Sequence, residues 1–359
     1  MPLPTTAHRL LRSSLVDVLL GPYGIDRYLE LIRKDLTVRE ARGRVVSVTR
    51  QTPRSVTLTV RPNDAWQGFA AGQFVSLGLD IDGVRRTRTY SPASSPSSRD
   101  GLLEFTVTAH PEGLVSSHLC QRLRPGTVLH LGEARGDFVL PEPRPRRLVL
   151  ISGGSGITPV LAMLRTLIGD GYDGDIAFLH YARTRADWLY RDEVIRLAQA
   201  HPNLRVHYAA TREGDRRIDE AEIRRLLGDR DPAESWAAVC GPRPLIESVR
   251  EIWAEAPDQV LTESFTPPSF DLGPSTEGTL RFVRSEMATP VSEGTLLEQA
   301  EQAGLTPDFG CRMGICHTCT CRKRAGAVRN VRTGQVSVEE NEDIQLCISV
   351  PAGDVELEI

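Results

Sequence analysis

Cys311-Arg-Met-Gly-Ile-Cys316-His-Thr-Cys319 spells C-x4-C-x2-C, and a fourth cysteine, Cys347, follows further along the chain. This is the spacing that holds a plant-type 2Fe-2S cluster, with three thiolates from one loop and one from a distant strand. Gly310 and Gly314 let the loop backbone come close and turn N–H groups toward sulfur, and such donors help set a reduction potential. Zinc knuckles pair two short C-x2-4-C hooks, and the second hook is missing from the sequence. Cys321 fits neither template and reads as an ordinary packed or partly exposed thiol. A cluster of this type passes single electrons at about −400 mV. The rest of the chain must therefore contain a donor.

The bulk numbers bound that search. With 359 residues, 40% hydrophobic and 25% charged, the chain is an ordinary soluble globular protein of two or three domains. A formal net charge of −4 offers no global basic field, so no nucleic-acid partner is expected. No stretch approaches the apolar length of a spanning helix, the N-terminus lacks a signal-peptide core, and the crowding of cysteines suits metal ligation in a reducing compartment. A cytoplasmic protein is expected.

Four compositional stretches and a linker divide the chain. Residues 1–40 read as a helical extension, with Leu10, Leu11, Leu15, Val18 and Leu19, then Tyr28, Leu29, Leu31 and Ile32, interrupted by Gly21-Pro22. Residues 41–142 carry short β-rich runs (45–49, 55–60 and 103–108) separated by turn residues, which suggests a small antiparallel barrel. Residues 143–265 alternate apolar strands (147–152, 175–181, 204–209, 237–240) with helical stretches, the pattern of a parallel α/β sheet. Residues 266–277 have a linker composition rich in Pro, Gly and Ser, and strand signals resume in 278–359.

Specific motifs sit on these elements. Arg88-Thr89-Tyr90-Ser91 puts an Arg fork suited to phosphate beside an aromatic ring suited to a planar group. Gly113-Leu-Val115-Ser116-Ser117 opens a helical pattern whose amides and hydroxyls suit a diphosphate. Gly153-Gly154-Ser155-Gly156-Ile157-Thr158-Pro159 follows an apolar strand and opens a helix, with Thr158 expected as the cap and Pro159 in the first turn. It departs from G-x-G-x-x-G but has the same strand, glycine loop, helix order. After the next strand come Arg183 and Arg185, basic where an NAD enzyme often carries an acid. Cys240-Gly241-Pro242-Arg243 ends a later strand, and Glu263-Ser264-Phe265 ends the α/β region.

Taken together, residues 278–359 resemble a plant-type ferredoxin domain, and the preceding region resembles the ferredoxin-NADP reductase superfamily, through its R-x-Y-S, G-x-x-S, G-G-x-G-I-T-P and C-G-P segments. The resemblance implies a multi-domain fold: an antiparallel β-barrel flavin domain, an α/β parallel-sheet nucleotide domain and an α+β β-grasp ferredoxin domain. By carry-over, Arg88 holds flavin phosphate, Tyr90 packs on the flavin, and Ser91 bonds near its N5. Gly113, Val115, Ser116 and Ser117 meet the FAD diphosphate, which favours FAD over FMN, and Gly136-Asp137-Phe138 completes the barrel side. Gly153, Gly154, Gly156, Thr158 and Pro159 take the nucleotide pyrophosphate. Cys240, with Gly241 and Pro242, lies beside the nicotinamide, and Glu263 and Phe265 stand where the family's acidic and aromatic residues approach the flavin. Arg183 and Arg185 would pair with a 2′-phosphate, favouring NADPH over NADH. Tyr90, Ser91 and Cys240 form the catalytic set, and Cys311, Cys316, Cys319 and Cys347 the metal set.

Nicotinamides deliver two electrons as hydride whereas a 2Fe-2S centre accepts one, so a flavin must stand between them. The prefix Gly21-Pro-Tyr-Gly-Ile-Asp-Arg-Tyr-Leu-Glu30 and the domain order resemble bacterial reductases that feed membrane di-iron fatty-acid or acyl-CoA desaturases and alkyl hydroxylases. The same modules serve as the reductase component of Rieske-type ring-hydroxylating oxygenases. A redox-sensing binding protein would require degraded nucleotide motifs, and these look intact. The prefix either packs over the flavin domain or presents an apolar face to a membrane. Glu339, Glu340, Glu342 and Asp343 form an acidic run that would steer a basic partner.

Overall fold

The computed structural model describes residues 24–111, 113–265, 272–273 and 276–359. The chain divides into two compact units, the first ending at Thr266 and the second beginning at Pro267, with Arg86–Thr89 counted with the second.

The first unit contains an antiparallel sheet of β1 (Arg42–Thr52), β2 (Ser55–Pro62), β3 (Phe74–Ile81), β4 (Val84–Tyr90, apart from its residues Arg86–Thr89), β5 (Leu103–Thr108) and β6 (Val128–Arg135), in the order β4-β3-β6-β1-β2-β5. Period-two alternation puts Val56, Leu58 and Val60 of β2 inside, opposite Val107, Phe105 and Leu103 of β5, and all six are buried. Asp82-Gly83, both at positive φ, make the tight turn between β3 and β4 that Asp-Gly favours. Beyond β4, Pro92 bridges to Phe105 on β5, bringing the two edges of the sheet together.

Of the expected helical extension, Gly24–Ile32 form α1, residues 33–40 are turns and bends rather than helix, and residues 1–23 lie outside the described residues. The Asp26 carboxylate accepts from the Val38 and Arg39 amides at 2.6 and 3.1 Å, and Arg42 of β1 donates to Glu30 at 2.5 Å. Leu31 and Ile32 remain 79% and 78% exposed, so α1 is fastened by polar contacts rather than by its apolar end.

The same unit contains a parallel sheet of β7 (Arg147–Gly153), β8 (Asp175–Ala182), β9 (Leu204–Ala210), β10 (Trp236–Cys240) and β11 (Val260–Glu263), in the order β11-β10-β7-β8-β9. Around it run α3 (Ile157–Gly169), α4 (Arg191–Ala200), α5 (Glu220–Leu226) and α6 (Arg243–Ile252), while α2 (Leu114–Gln121) belongs with the barrel. The chain leaves β7 toward β8 on one side and returns to β10 on the other. The carboxyl end of β7 is thus a topological switch point, where α/β sheets open a ligand crevice. Ala71, Ala93, Phe138 and Leu140 from the barrel side share one core with Leu148, Val160, Met163 and Leu164.

The second unit holds β12 (Thr279–Phe282), β13 (Met287–Pro290), β14 (Thr320–Asn330), β15 (Val336–Ser337), β16 (Glu342–Gln345) and β17 (Ser349–Leu357), ordered β13-β12-β17-β14-β15 with β16 on β14. The parallel β12–β17 pair among antiparallel neighbours, with one helix packed across, is the β-grasp arrangement. That helix, α7 (Leu296–Gln302), starts with a capping box between Thr295 and Glu298. It buries Leu296, Leu297 and Ala300 against Leu280, Phe282, Val355 and Leu357. Each buried Leu, Phe or Val side chain contributes about 1.5–3 kcal/mol on leaving water. Of the expected linker, Leu272 accepts from Arg329 of β14. Among the described residues no helix is long and apolar enough to cross a membrane.

Candidate functional site

The nucleotide side is built on close backbone approach. Ser152 ends the hydrophobic run of β7, and Gly154-Ser155-Gly156 forms a single 3-10 turn leading into α3. A Cβ on Gly156 would lie 2.2 Å from the Cys240 carbonyl oxygen and 3.0 Å from its sulfur, so the loop sits on the end of β10 only because this residue is glycine. A Cβ on Gly153 would meet the Pro242 ring at 2.7 Å, and one on Gly154, at φ +57°, would meet nothing within 4 Å. The loop is therefore packed below and open above, as a cradle for pyrophosphate requires. The cap expectation needs correcting: Gly156 is the N-cap, and Thr158 lies inside the helix with its hydroxyl donating to Ser155 O at 3.3 Å. The 3-10 turn runs directly into the helix, which moves the cap two residues earlier. Pro159 lies in the first turn.

Beneath the loop, Ser152 Oγ donates to Leu179 O at 3.2 Å and meets His180 Nδ1 at 2.9 Å. His180 Nε2 is turned into the core and has no hydrogen-bond partner among the described residues. Burial pulls its pKa down to about 3, so the ring is neutral.

At the neighbouring strand ends, Cys240 of β10 and Glu263 of β11 are opposite each other in register, and the thiol lies 3.8 Å from the carboxylate. Burial pushes the Glu263 carboxyl up to about 8 and raises the fully buried Cys240 thiol well above its ordinary range. Near pH 7 the pair is therefore neutral and Glu263 carries a proton. Gly241 donates to Glu263 O at 3.3 Å, Pro242 precedes α6, and Phe265 is 39% exposed.

On the flavin side, Arg88 and Tyr90 lie on β4 and Ser91 follows it. Ser91 is 2% exposed and its hydroxyl has no hydrogen-bond partner among the described residues. Buried hydroxyls are rarely left unpaired, and an acceptor or donor on a bound group would satisfy this one. Gly113 caps α2. Ser116 Oγ accepts from the His110 amide at 3.1 Å, Ser117 Oγ donates to His110 O at 3.3 Å, and Val115 is buried in the barrel core. The two hydroxyls shape the turn before the helix, leaving its first amides as donors.

In the second unit, Cys311, Cys319 and Cys347 are buried and Cys316 is partly so. Electrostatically the thiols act on one another most strongly as Cys311 with Cys316 and Cys319 with Cys347. Within each pair one sulfur is pulled down by the hydrogen bond it receives, Cys316 to about 5 and Cys319 to about 7, while Cys311 and Cys347 are pushed up. The Cys311 amide donates to Cys316 Sγ at 3.2 Å and the Met313 amide to Cys311 Sγ at 3.3 Å. Among the described residues no three His, Cys, Asp or Glu side chains are arranged to hold one metal ion. Two thiol pairs with amides turned on the sulfurs suit a binuclear cluster with two thiolates per iron. Gln345 Nε2 and Arg332 Nη1 both donate to Gly314 O, at 3.1 and 3.3 Å, fixing the loop's outer turn. The Cys321 thiol donates to Arg322 O at 3.6 Å.

Comparison with known proteins bears on all three regions. Residues 45–139 match the oxidoreductase FAD-binding domain, residues 150–251 the oxidoreductase NAD-binding domain, and residues 283–352 the 2Fe-2S iron-sulfur cluster binding domain. An NADPH oxidoreductase of Mycobacterium tuberculosis is 37% identical over 93% of this chain and 88% of its own length. The chain belongs to the ferredoxin-NADP reductase superfamily. A glycine betaine monooxygenase reductase subunit of Chromohalobacter salexigens is 28% identical over 81% of this chain and 87% of its own length. The propane 2-monooxygenase reductase component of Mycolicibacterium goodii is 27% identical over 66% and 70%. The fold is that of phthalate dioxygenase reductase, with TM-score 0.60 at 21% identity, covering 89% of this chain and 97% of that one. This reductase is thus an NAD(P)H-dependent oxidoreductase with FAD-binding, NAD-binding and 2Fe-2S domains.

Some of the site was not anticipated. The resemblance places Glu263 with Phe265 near the flavin, but its contact with Cys240 depends on the β10–β11 register, which the sequence does not show. Arg185 donates to Glu213 at 3.2 Å and pairs with Asp215 at 3.6 Å. Arg183 is exposed, and its carbonyl accepts from the amide of exposed Arg212 at 2.9 Å, so the ends of β8 and β9 bring those two arginines together. Arg212 lies in the basic, turn-rich segment 211–217, a signal that its distance in sequence concealed.

Proposed function

We propose that this reductase takes hydride from NADPH through FAD and hands electrons singly, by way of its own 2Fe-2S cluster, to a protein oxygenase. FAD, when bound, accepts the nicotinamide's electron pair and releases it one electron at a time, the form a 2Fe-2S cluster accepts. Gly153, Gly154 and Gly156 hold the pyrophosphate with Thr158 and Pro159 shaping the helix start. Cys240, Gly241 and Pro242 border the nicotinamide, and the protonated Glu263 behind Cys240 keeps that wall neutral. Arg88 anchors flavin phosphate, Tyr90 and Phe265 flank the ring, Ser91 donates near its N5, and Gly113, Val115, Ser116 and Ser117 turn amides on the diphosphate. Cys311, Cys316, Cys319 and Cys347 ligate the cluster. The observation that carries the reading is a cysteine loop whose own amides turn on the Cys311 and Cys316 sulfurs, in a chain whose glycine loop is seated directly on Cys240.

NADPH is favoured over NADH because Arg183, with Arg212 beside it, offers cationic donors to a 2′-phosphate, whereas Arg185 is already held by two carboxylates. For the acceptor, relatives named as monooxygenase reductases support an oxygenase partner. A membrane di-iron desaturase or alkyl hydroxylase rests on the prefix and domain order alone, and a Rieske-type oxygenase is the competing class. Anaerobic stopped-flow mixing with NADPH or NADH, following flavin bleaching and then the cluster signal, tests the relay. Fast bleaching followed by cluster reduction, faster with NADPH, is the expected result. Absence of bleaching with both nucleotides would leave a redox-binding protein as the better reading. Reconstitution with each oxygenase class then separates the acceptors.

A further inference from the structure

Arg165 lies on α3, the helix that begins at the nucleotide loop. Its guanidinium makes four hydrogen bonds. Nε and Nη2 donate to the two oxygens of Glu193 on α4, both at 2.8 Å. Nη1 donates to Glu104 on β5 at 2.6 Å and to the Ala93 carbonyl at 2.8 Å. Ala93 is two residues beyond Ser91, and its own amide donates to Glu104 O at 2.7 Å. The guanidinium also lies 5.3 Å from the centre of the Tyr190 ring, at the start of α4. The buried Tyr190 hydroxyl bonds Thr106 on β5 and, at 3.1 Å, Thr57 on β2. Ser95 and Thr166 add a contact at 3.1 Å between the same two segments.

Such an arrangement costs desolvation that apolar packing would avoid, so its use lies in direction rather than in adhesion. A guanidinium fork with both edges engaged fixes orientation as well as distance. We propose that Arg165 is a positioning residue for hydride transfer: it ties the helix of the nucleotide loop to the segment following Tyr90 and Ser91, and so sets the distance at which nicotinamide meets flavin. Glu104, Glu193 and Tyr190 complete the clamp. The inference rests on the reductase reading given above. Hydride transfer proceeds only at near contact, so a shift of about 1 Å between the two segments costs up to roughly a hundredfold in rate.

The test compares flavin-loaded wild type, Arg165→Lys, Arg165→Met and the milder Tyr190→Phe, which keeps the ring and removes only its hydroxyl bonds. Anaerobic stopped-flow at saturating NADPH, with protium or deuterium at the transferred C4 position, is paired with NADP+ titration and amide exchange. In Arg165→Met the bleaching rate per bound flavin is expected to fall between roughly ten- and a hundredfold, with the NADP+ dissociation constant nearly unchanged. The isotope effect becomes more temperature-dependent, and amide protection drops together at β5 and α4. Arg165→Lys and Tyr190→Phe shift all three in the same direction by less. A wild-type rate and isotope effect per bound flavin in every folded variant overturns the inference, as does a loss that merely tracks flavin content. Failure of the wild type itself to bleach is a different outcome, which removes the reductase reading and the inference with it.

Discussion

The loop after β7 and the cysteine loop after α7 both depend on glycine, yet the obstacles that demand it differ. At Gly156 a side chain would strike the backbone carbonyl of Cys240, part of a central strand that has nowhere to go. At Gly310 it would strike Cys316 Sγ at 2.7 Å and Thr318 Oγ1 at 2.8 Å, groups belonging to the loop itself. The first loop takes its shape from the sheet beneath it. The second is shaped around its own sulfurs, with two amides turned on them, and its thiols gain full complementarity only when deprotonated and bound to metal. A nucleotide that comes and goes needs a loop that holds its form without it; a resident cluster does not.

Three changes probe this contrast. The largest effect is expected from Cys347→Ser, which removes the partner of Cys319: iron content and the cluster's EPR signal fall to background while NADPH still bleaches the flavin. Cys321→Ser, assayed alongside, keeps its iron. Retention of a full cluster in Cys347→Ser would mean the loop chooses its fourth ligand elsewhere. Next comes Gly156→Ala, which leaves the cluster signal intact but lowers hydride transfer by roughly ten- to a hundredfold. Its chemical denaturation should also show a loss of about 1–3 kcal/mol from overpacking. An alanine variant with normal kinetics would show that the loop yields as readily as the cysteine loop.

The smallest effect belongs to Glu263→Gln and is read as pH dependence. In the folded protein burial holds this carboxyl's pKa at about 8, against an ordinary value of 4.5. Between those values the native state keeps a proton the unfolded chain has released, so Glu263 makes stability fall as pH rises from about 4.5 to about 8, with no further change above. Glutamine cannot ionise and removes that fall. Urea midpoints of the two proteins should nearly coincide at pH 5 and separate at pH 8.5 in favour of the variant, by on the order of a few kcal/mol at most. Parallel curves would place the Glu263 proton elsewhere.

Strands of the first two sheets are legible in the sequence from local composition, short β-rich runs at β1, β2 and β5 and apolar runs at β7 to β10 with turn residues between them, whereas the third sheet follows only from the resemblance to a ferredoxin domain. The observed strands extend those readings by a few residues at their ends, where pairing with a neighbour carries the backbone further than propensity does. The helix cap falls at Gly156 rather than Thr158 for a related reason, since whether Gly154–Gly156 forms a helical turn is settled by what lies under it.

By itself the sequence determined the chemistry-bearing loops: cysteine spacing, glycine spacing and the Arg88–Ser91 motif are short-range patterns whose meaning lies in adjacent residues. Tertiary structure alone decided which groups meet across the chain. Glu263 reaches Cys240 through the β10–β11 register, Arg185 is taken by Glu213 and Asp215, Arg183 gains Arg212 as a neighbour, and Arg165 joins α3 to β5 and α4. Those partners are separated by many residues, and burial and pairing at such distances follow from how the sheets and helices pack, which no local pattern encodes.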